Sequence, residues 1–144
     1  MRNRMKKEAN ATHQLVSRWG HEVMERQDKD TVLAEYPRPV MERENWQCLN
    51  GLWKYAFTKG KDAPKEWEGE ILVPFSPETV LSGVKRTLLP GDSLWYERTV
   101  QLSAQMEQTL ASGGHLLLHF GAVDQCCEVF VNGRRIGEHV GGYL

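Results

Sequence analysis

Three glutamates, Glu66, Glu68 and Glu70, alternate with Trp67 and Gly69. On a β-strand such alternate side chains share one face at a spacing of about 7 Å, because each residue advances about 3.3 Å. That spacing lies within the window of about 5 to 10 Å in which two carboxyl groups divide acid–base work at one reacting centre, as in glycoside hydrolysis. The division also requires an apolar surrounding that lifts one carboxyl pKa above its partner. Nothing nearby in the sequence supplies it, so the run reads as a solvated edge. Glu42 and Glu44 read the same way, and no residue is assigned a catalytic role.

His115 and His119 lie four apart, but the His-Leu-Leu-Leu-His run lacks the glutamate of a helical zinc motif. On a strand both simply share the face opposite Leu116, Leu118 and Phe120. Cys126 and Cys127 point to opposite faces of their strand, and no Cys-x-x-Cys pair exists to complete a zinc site. Cys127 runs in phase with Val129 and Val131 and is expected in the core. No metal site and no cofactor is therefore assigned. A nucleophile elbow, a phosphate-binding loop and a dinucleotide fingerprint are all missing from the sequence. What remains is five tryptophans, Trp19, Trp46, Trp53, Trp67 and Trp95. An exposed indole is a platform for the apolar face of a sugar ring. Trp53 and Trp95 sit in the best strand patterns and are expected in the core; Trp46 and Trp67, at strand approaches, stay open.

Elements of period two carry these residues. Residues 52–58 place Trp53, Tyr55 and Phe57 on one face, residues 70–73 form a short run ending at Pro74, and residues 94–102 form a third. Residues 115–120 and 125–131 follow, the second leading through Asn132-Gly133 into residues 134–140. Asn-Gly between two alternating runs predicts a type I′ hairpin, since both central residues then need positive φ. No helical periodicity shows beyond residue 36. Short strands separated by Gly, Pro, Asn and Ser predict an all-β jelly roll or β-sandwich. Residues 1–35 differ: they are charged, and Leu15, Trp19 and Val23 form one helical stripe that Gly20 weakens. They read as an irregular or partly helical N-terminal arm. The boundary falls at Tyr36-Pro37-Arg38-Pro39, where two prolines hold the backbone extended, so the sandwich is expected over 36–144.

The 144 residues suffice for one domain with a genuine core and exclude a (β/α)₈ barrel, which takes about 250. Eighteen Lys plus Arg against nineteen Asp plus Glu leave a net charge of −1, without the basic excess of a nucleic-acid binder. A mean hydropathy of −0.53 and the lack of a long apolar run argue against a membrane span. Three cysteines, two of them adjacent, make a poor disulfide framework, and no apolar stretch follows the basic start. A cytoplasmic location is expected, in which the sequon at Asn10 has no glycosylation meaning. The last residues, Gly141-Gly142-Tyr143-Leu144, read as a turn opening another strand, so the sandwich is expected to lack its closing strands.

Several segments together resemble a known family. They are Tyr36-Pro37-Arg38-Pro39, Leu49-Asn50-Gly51-Leu52-Trp53-Lys54-Tyr55, Ile71-Leu72-Val73-Pro74-Phe75-Ser76-Pro77-Glu78 and Leu81-Ser82-Gly83-Val84. Leu94-Trp95-Tyr96-Glu97-Arg98, His119-Phe120-Gly121-Ala122-Val123-Asp124, Val129-Phe130-Val131-Asn132-Gly133 and Gly137-Glu138-His139-Val140-Gly141-Gly142-Tyr143 complete the series. In this order they resemble the N-terminal sugar-binding domain of glycoside hydrolase family 2.

The resemblance implies a galactose-binding-like jelly roll at the front of a longer enzyme of the β-galactosidase, β-glucuronidase and β-mannosidase kind. Such an enzyme cleaves terminal β-linked sugars with retention through two glutamates of a TIM barrel that this chain lacks. The chain is then part of a glycoside hydrolase and not catalytic alone. Its partners are the remaining domains of the hydrolase and, within the full enzyme, a β-linked sugar. In the family, loops of this domain reach toward the outermost sugar. By position those are the loop after Val73-Pro74 and the loop around Gly141, which makes Ser76, Glu78, His139 and Tyr143 the substrate-binding candidates. The galactosidases with clear contacts carry Asn and Asp where this chain has Ser76 and Gly141. Asp124 is expected to cap a turn. Two rival readings remain: a stand-alone carbohydrate-binding module, and a fragment that docks onto a partner chain.

Overall fold

The structure, a computed structural model, describes residue 18, residues 20–25 and residues 32–142. The chain divides into two compact units, Met1–Gln101 and Leu102–Leu144. Each is taken in turn.

In the first unit, strands β1 (Gly51–Lys59), β2 (Gly69–Val73) and β3 (Asp92–Glu97) form an antiparallel sheet in the order β2-β1-β3. The register sets Trp53 opposite Ile71, Tyr55 opposite Gly69 and Tyr96, and Phe57 opposite Leu94. Because paired residues project to the same side, Trp53, Tyr55, Phe57, Ile71, Leu94 and Tyr96 share one face. Leu52, Ala56, Leu72 and Trp95 share the other. Burial does not follow this alternation, since both faces hold a buried residue: Ile71 on the first is 0% exposed, and Ala56 and Leu72 on the second are 1% and 4% exposed, joined in the core by Val32 and Val80. Removing the Ile71 side chain from water contributes about 2 kcal/mol. Trp53 and Trp95, expected in the core, are half-buried instead. Each indole N–H is nonetheless used, Trp53 donating to the Leu49 carbonyl at 2.7 Å and Trp95 to Thr58 Oγ1 at 3.1 Å. An indole is too large for a three-stranded sheet to bury fully, whereas the small Ala56, the cross-strand neighbour of Trp95, is buried.

Strand boundaries depart from the expected runs at two points. β3 ends at Glu97 rather than at residue 102. Glu66 and Glu68 precede β2, and only Glu70 of the alternating glutamates lies in a strand. The arm contributes helix α1 (Gly20–Glu25), and residue 32 is packed into the core. Leu15 and Trp19 of the expected stripe lie outside the described residues, as does the side chain of Val23. A short 3₁₀ turn at Pro39–Met41 follows the arm.

The second unit opens with helix α2 (Ala104–Ala111), an element the period-two reading omits. Its signal is composition: Ala, Gln, Met, Glu and Leu favour helix, and Ser103 caps the start by accepting the Met106 amide at 3.2 Å. Gly113, at φ +84°, ends it. Residues 115–120, expected as a strand, pair with no strand among the described residues. Strands β4 (Cys126–Val131) and β5 (Arg134–Val140) form the expected hairpin. Asn132 at φ +49° and Gly133 at φ +75° have the two positive dihedrals that a type I′ turn demands. A bulge between Val129 and Phe130 shifts the register beyond it. The described architecture is thus antiparallel sheets with few helices, consistent with an all-β fold.

Candidate functional site

Among the sequence candidates, Ser76 and Glu78 lie on the loop from β2 to β3 in the first unit. Ser76 is exposed and Glu78 half-buried. The loop is tied down locally. The Ser76 carbonyl accepts the Thr79 amide at 3.0 Å and the Thr79 hydroxyl at 2.9 Å, and the Arg86 amide donates to the Pro77 carbonyl at 2.9 Å. Ser82, 1% exposed, anchors the turn to the sheet: its carbonyl accepts the Leu72 amide at 2.9 Å. Glu78 acts electrostatically on Tyr96 of β3. Although Tyr96 is 40% exposed, burial of its phenol first, and the Glu78 carboxylate second, push it up to about 12.

Beside this loop lies a second polar cluster. The Arg86 guanidinium sits 3.9 Å above the centre of the Phe57 ring and pairs with Glu68 at 2.9 Å. Glu68 also accepts the Phe57 amide at 3.0 Å. Burial, and then the Glu68 charge, raise the Tyr55 phenol, while Arg86 opposes the rise. Glu68 is therefore engaged in structural bonds, to the Arg86 guanidinium and the Phe57 amide. Asp92 is likewise engaged: its bond to Lys59, the cross-strand neighbour, lowers its carboxyl below the usual value. Of the two open indoles, Trp46 packs edge-on against Tyr36 at 4.7 Å between centroids, and Trp67 is half-buried.

In the second unit His139 is exposed on β5, directly across from Cys127. Cys127, expected in the core, is half-buried, and Cys126 is exposed; both are free thiols. Two carboxylates do face each other here, Glu128 and Glu138, a cross-strand pair that only the hairpin register reveals. Arg135 bridges them, with Nε 3.1 Å from Glu128 and Nη2 bonded to Glu138. Both are exposed to water and share one cation, so no apolar surrounding distinguishes an acid from a base. Asp124, just before β4, lies beside Gly142, whose position would bring a Cβ within 3.2 Å of its carboxylate. The fourth candidate, Tyr143, lies outside the described residues. Among the described residues no cluster of three or more His, Cys, Asp or Glu converges as a metal site. No described helix is long and apolar enough to cross a membrane.

No protein-family model matches the chain. A β-glucuronidase of Streptococcus agalactiae serotype V (strain ATCC BAA-611 / 2603 V/R) is 26% identical to it over 111 residues. The match takes in 75% of this chain and 17% of that enzyme, so the chain spans less than a fifth of the length of its relative. The similarity is a distant relationship to a glycoside hydrolase.

Proposed function

We propose that this chain forms the N-terminal, noncatalytic jelly-roll region of a retaining family 2 glycoside hydrolase that removes terminal β-linked sugars. The observation that carries the reading is the 111-residue similarity to a β-glucuronidase, of which it takes in only 17%. The ordered motif series from Tyr36 onward and the all-β framework around it support the same reading. In this role the first unit supplies a sheet and the loop that bears Ser76 and Glu78, which contributes to the outer part of a sugar site; in the second unit His139 of β5 is a separate candidate for sugar contact. The catalytic pair belongs to a barrel carried by the rest of the enzyme. The hydrolase acts in the cytoplasm, with carbohydrate as the ligand of the assembled protein and its other domains as the partners of this one.

Retaining hydrolysis needs two carboxyl groups about 5 Å apart, one protonated and one ionised. Glu68, Asp92 and Glu97 are each paired with a cation, Arg86, Lys59 and Lys54 in turn, and the facing Glu128 and Glu138 share Arg135. The purified chain is therefore expected to leave nitrophenyl β-glucuronides and β-galactosides intact, and turnover above a buffer blank would contradict the noncatalytic role. Reading the source gene past the codon for Leu144 tests the rest. A frame that continues into a barrel with two carboxylates supports the proposal; a stop codon at that point overturns it.

A further inference from the structure

Ser82 is the one polar residue among the buried described positions, and its hydroxyl is fully used. It donates to the Thr79 carbonyl at 2.8 Å, with the Pro77 carbonyl at 3.3 Å, and accepts the Val84 amide at 3.1 Å. Its own amide donates to Thr79 Oγ1 at 3.2 Å, and Thr79 Oγ1 in turn donates to the Ser76 carbonyl at 2.9 Å. Its carbonyl receives the Leu72 amide of β2. Ser82 thus binds the turn at residues 76–79 through its hydroxyl, at the Thr79 and Pro77 carbonyls, and joins that turn to β2 through its backbone carbonyl. A hydroxyl so placed is costly to remove, because the Thr79 carbonyl and the Val84 amide lose their partner, while the Pro77 carbonyl keeps the Arg86 amide. Nothing in the fold of the sheet itself asks for it: the ladder between β1 and β2 runs from residue 69 to residue 73 and is complete without the loop.

We propose that Ser82 is a positioning residue, whose hydroxyl clamps the turn at 76–79 and thereby sets Ser76 and Glu78 to meet a sugar hydroxyl. The sugar in this statement rests on the carbohydrate reading above; the clamp does not. A carboxylate and a hydroxyl two residues apart discriminate hydroxyl groups only when held still, since a loop free to rotate forfeits the affinity that ordering costs. Thr79 is the clamp's second half, exposed and therefore replaceable without disturbing the core.

The test uses the whole chain with tyrosine rings labelled with ¹³C. The Tyr96 ring resonance of the unaltered protein should respond to Glu78→Gln, which removes the carboxylate charge that acts on its phenol. In Ser82→Ala the amplitude of that response should fall about twofold or more, as the carboxylate leaves its set distance and its field weakens with separation. Thr79→Val, which keeps the shape and removes one oxygen, should lower it in the same direction and guards against a Ser82→Ala chain that does not fold. Affinity for methyl β-glucuronide and methyl β-galactoside, read from the same spectra, should fall about three- to tenfold in both variants, as for one lost hydrogen bond.

Wild-type Tyr96 responses in both variants, accompanied only by easier unfolding in urea, would show Ser82 to be merely structural and overturn the proposal. A Tyr96 resonance in the unaltered chain that ignores Glu78 overturns it as well. If the response weakens as expected but no glycoside binds the unaltered chain, the clamp stands and the carbohydrate reading of this loop falls.

Discussion

The Asn50 carboxamide donates to the carbonyls of Val32, at 3.2 Å, and of Leu33, at 3.0 Å, and so ties the end of the N-terminal arm to the start of β1. The same corner receives Arg98 from beyond β3, whose Nη1 donates to the carbonyls of Leu49 at 3.1 Å and Asn50 at 2.8 Å. Three segments distant in sequence are thereby bound at one place, and Val32 is held in the core. Replacing Asn50 by Ala strands two carbonyls, one of them on a buried residue, at a cost of about 1 to 3 kcal/mol. Urea unfolding followed by tryptophan fluorescence should show the lower midpoint; an unchanged midpoint would mean the arm does not depend on this residue.

Ile71 carries the largest fully buried side chain of the sheet, opposite Trp53. Truncation to Ala removes its buried methyl groups and leaves a cavity, for an expected loss of about 2 to 5 kcal/mol. The check is the thermal midpoint. A shift no greater than that of the exposed substitution Leu52→Ala would contradict the assignment of Ile71 to the core.

The raised phenol of Tyr96 makes stability depend on alkaline pH. In the folded chain it is pushed up to about 12, against 10.0 when unperturbed. Below about pH 10 both folded and unfolded states keep the proton, and the group contributes no slope. Between about pH 10 and 12 the unfolded chain releases the proton while the folded chain holds it. The unfolded state then binds fewer protons, so stability falls as pH rises. Tyr96→Phe should flatten that fall in urea midpoints measured across this window, and parallel slopes in the two proteins would refute the shift.

At the β4–β5 turn, Gly133 has φ +75° and open space where a Cβ would stand. Gly133→Ala is thus penalised by backbone conformation and not by a clash, at about 1 kcal/mol. Asn132, which already tolerates φ +49°, should lose less on replacement by Gly. Amide exchange of β4 and β5 measures both. Equal protection in Gly133→Ala and in the unaltered chain would argue against the type I′ geometry.

The surface pair of Lys54 and Glu97 faces across β1 and β3 at 2.9 Å with both side chains about half exposed. Its contribution is expected near zero to 1 kcal/mol, because water screens the charges and two long side chains lose freedom. A double-mutant cycle with Lys54→Ala and Glu97→Ala measures it. A coupling well above that range would indicate a drier sheet surface than the exposure implies.

Local pattern alone determined the strands whose signals are contained within a few residues. The alternation in β1 and the Asn132-Gly133 turn each carry their full physical cause in adjacent side chains, and both formed as read. α2 was equally legible in composition, but its short apolar pattern lacks a clear stripe, and the surrounding strand signals masked it. Residues 115–120 show the opposite case. Their β-prone pattern is strong, yet a strand exists only where a second one offers hydrogen bonds, and none is paired with them among the described residues. The candidate site divides in the same way. Ser76, Glu78 and His139 came from motif position, whereas the cluster of Arg86, Phe57 and Glu68, the facing pair of Glu128 and Glu138, and the burial of Ser82 came only from register and loop closure. Side chains 10 to 20 residues apart have no shared period to betray them; it takes the folded backbone to bring them within hydrogen-bond reach.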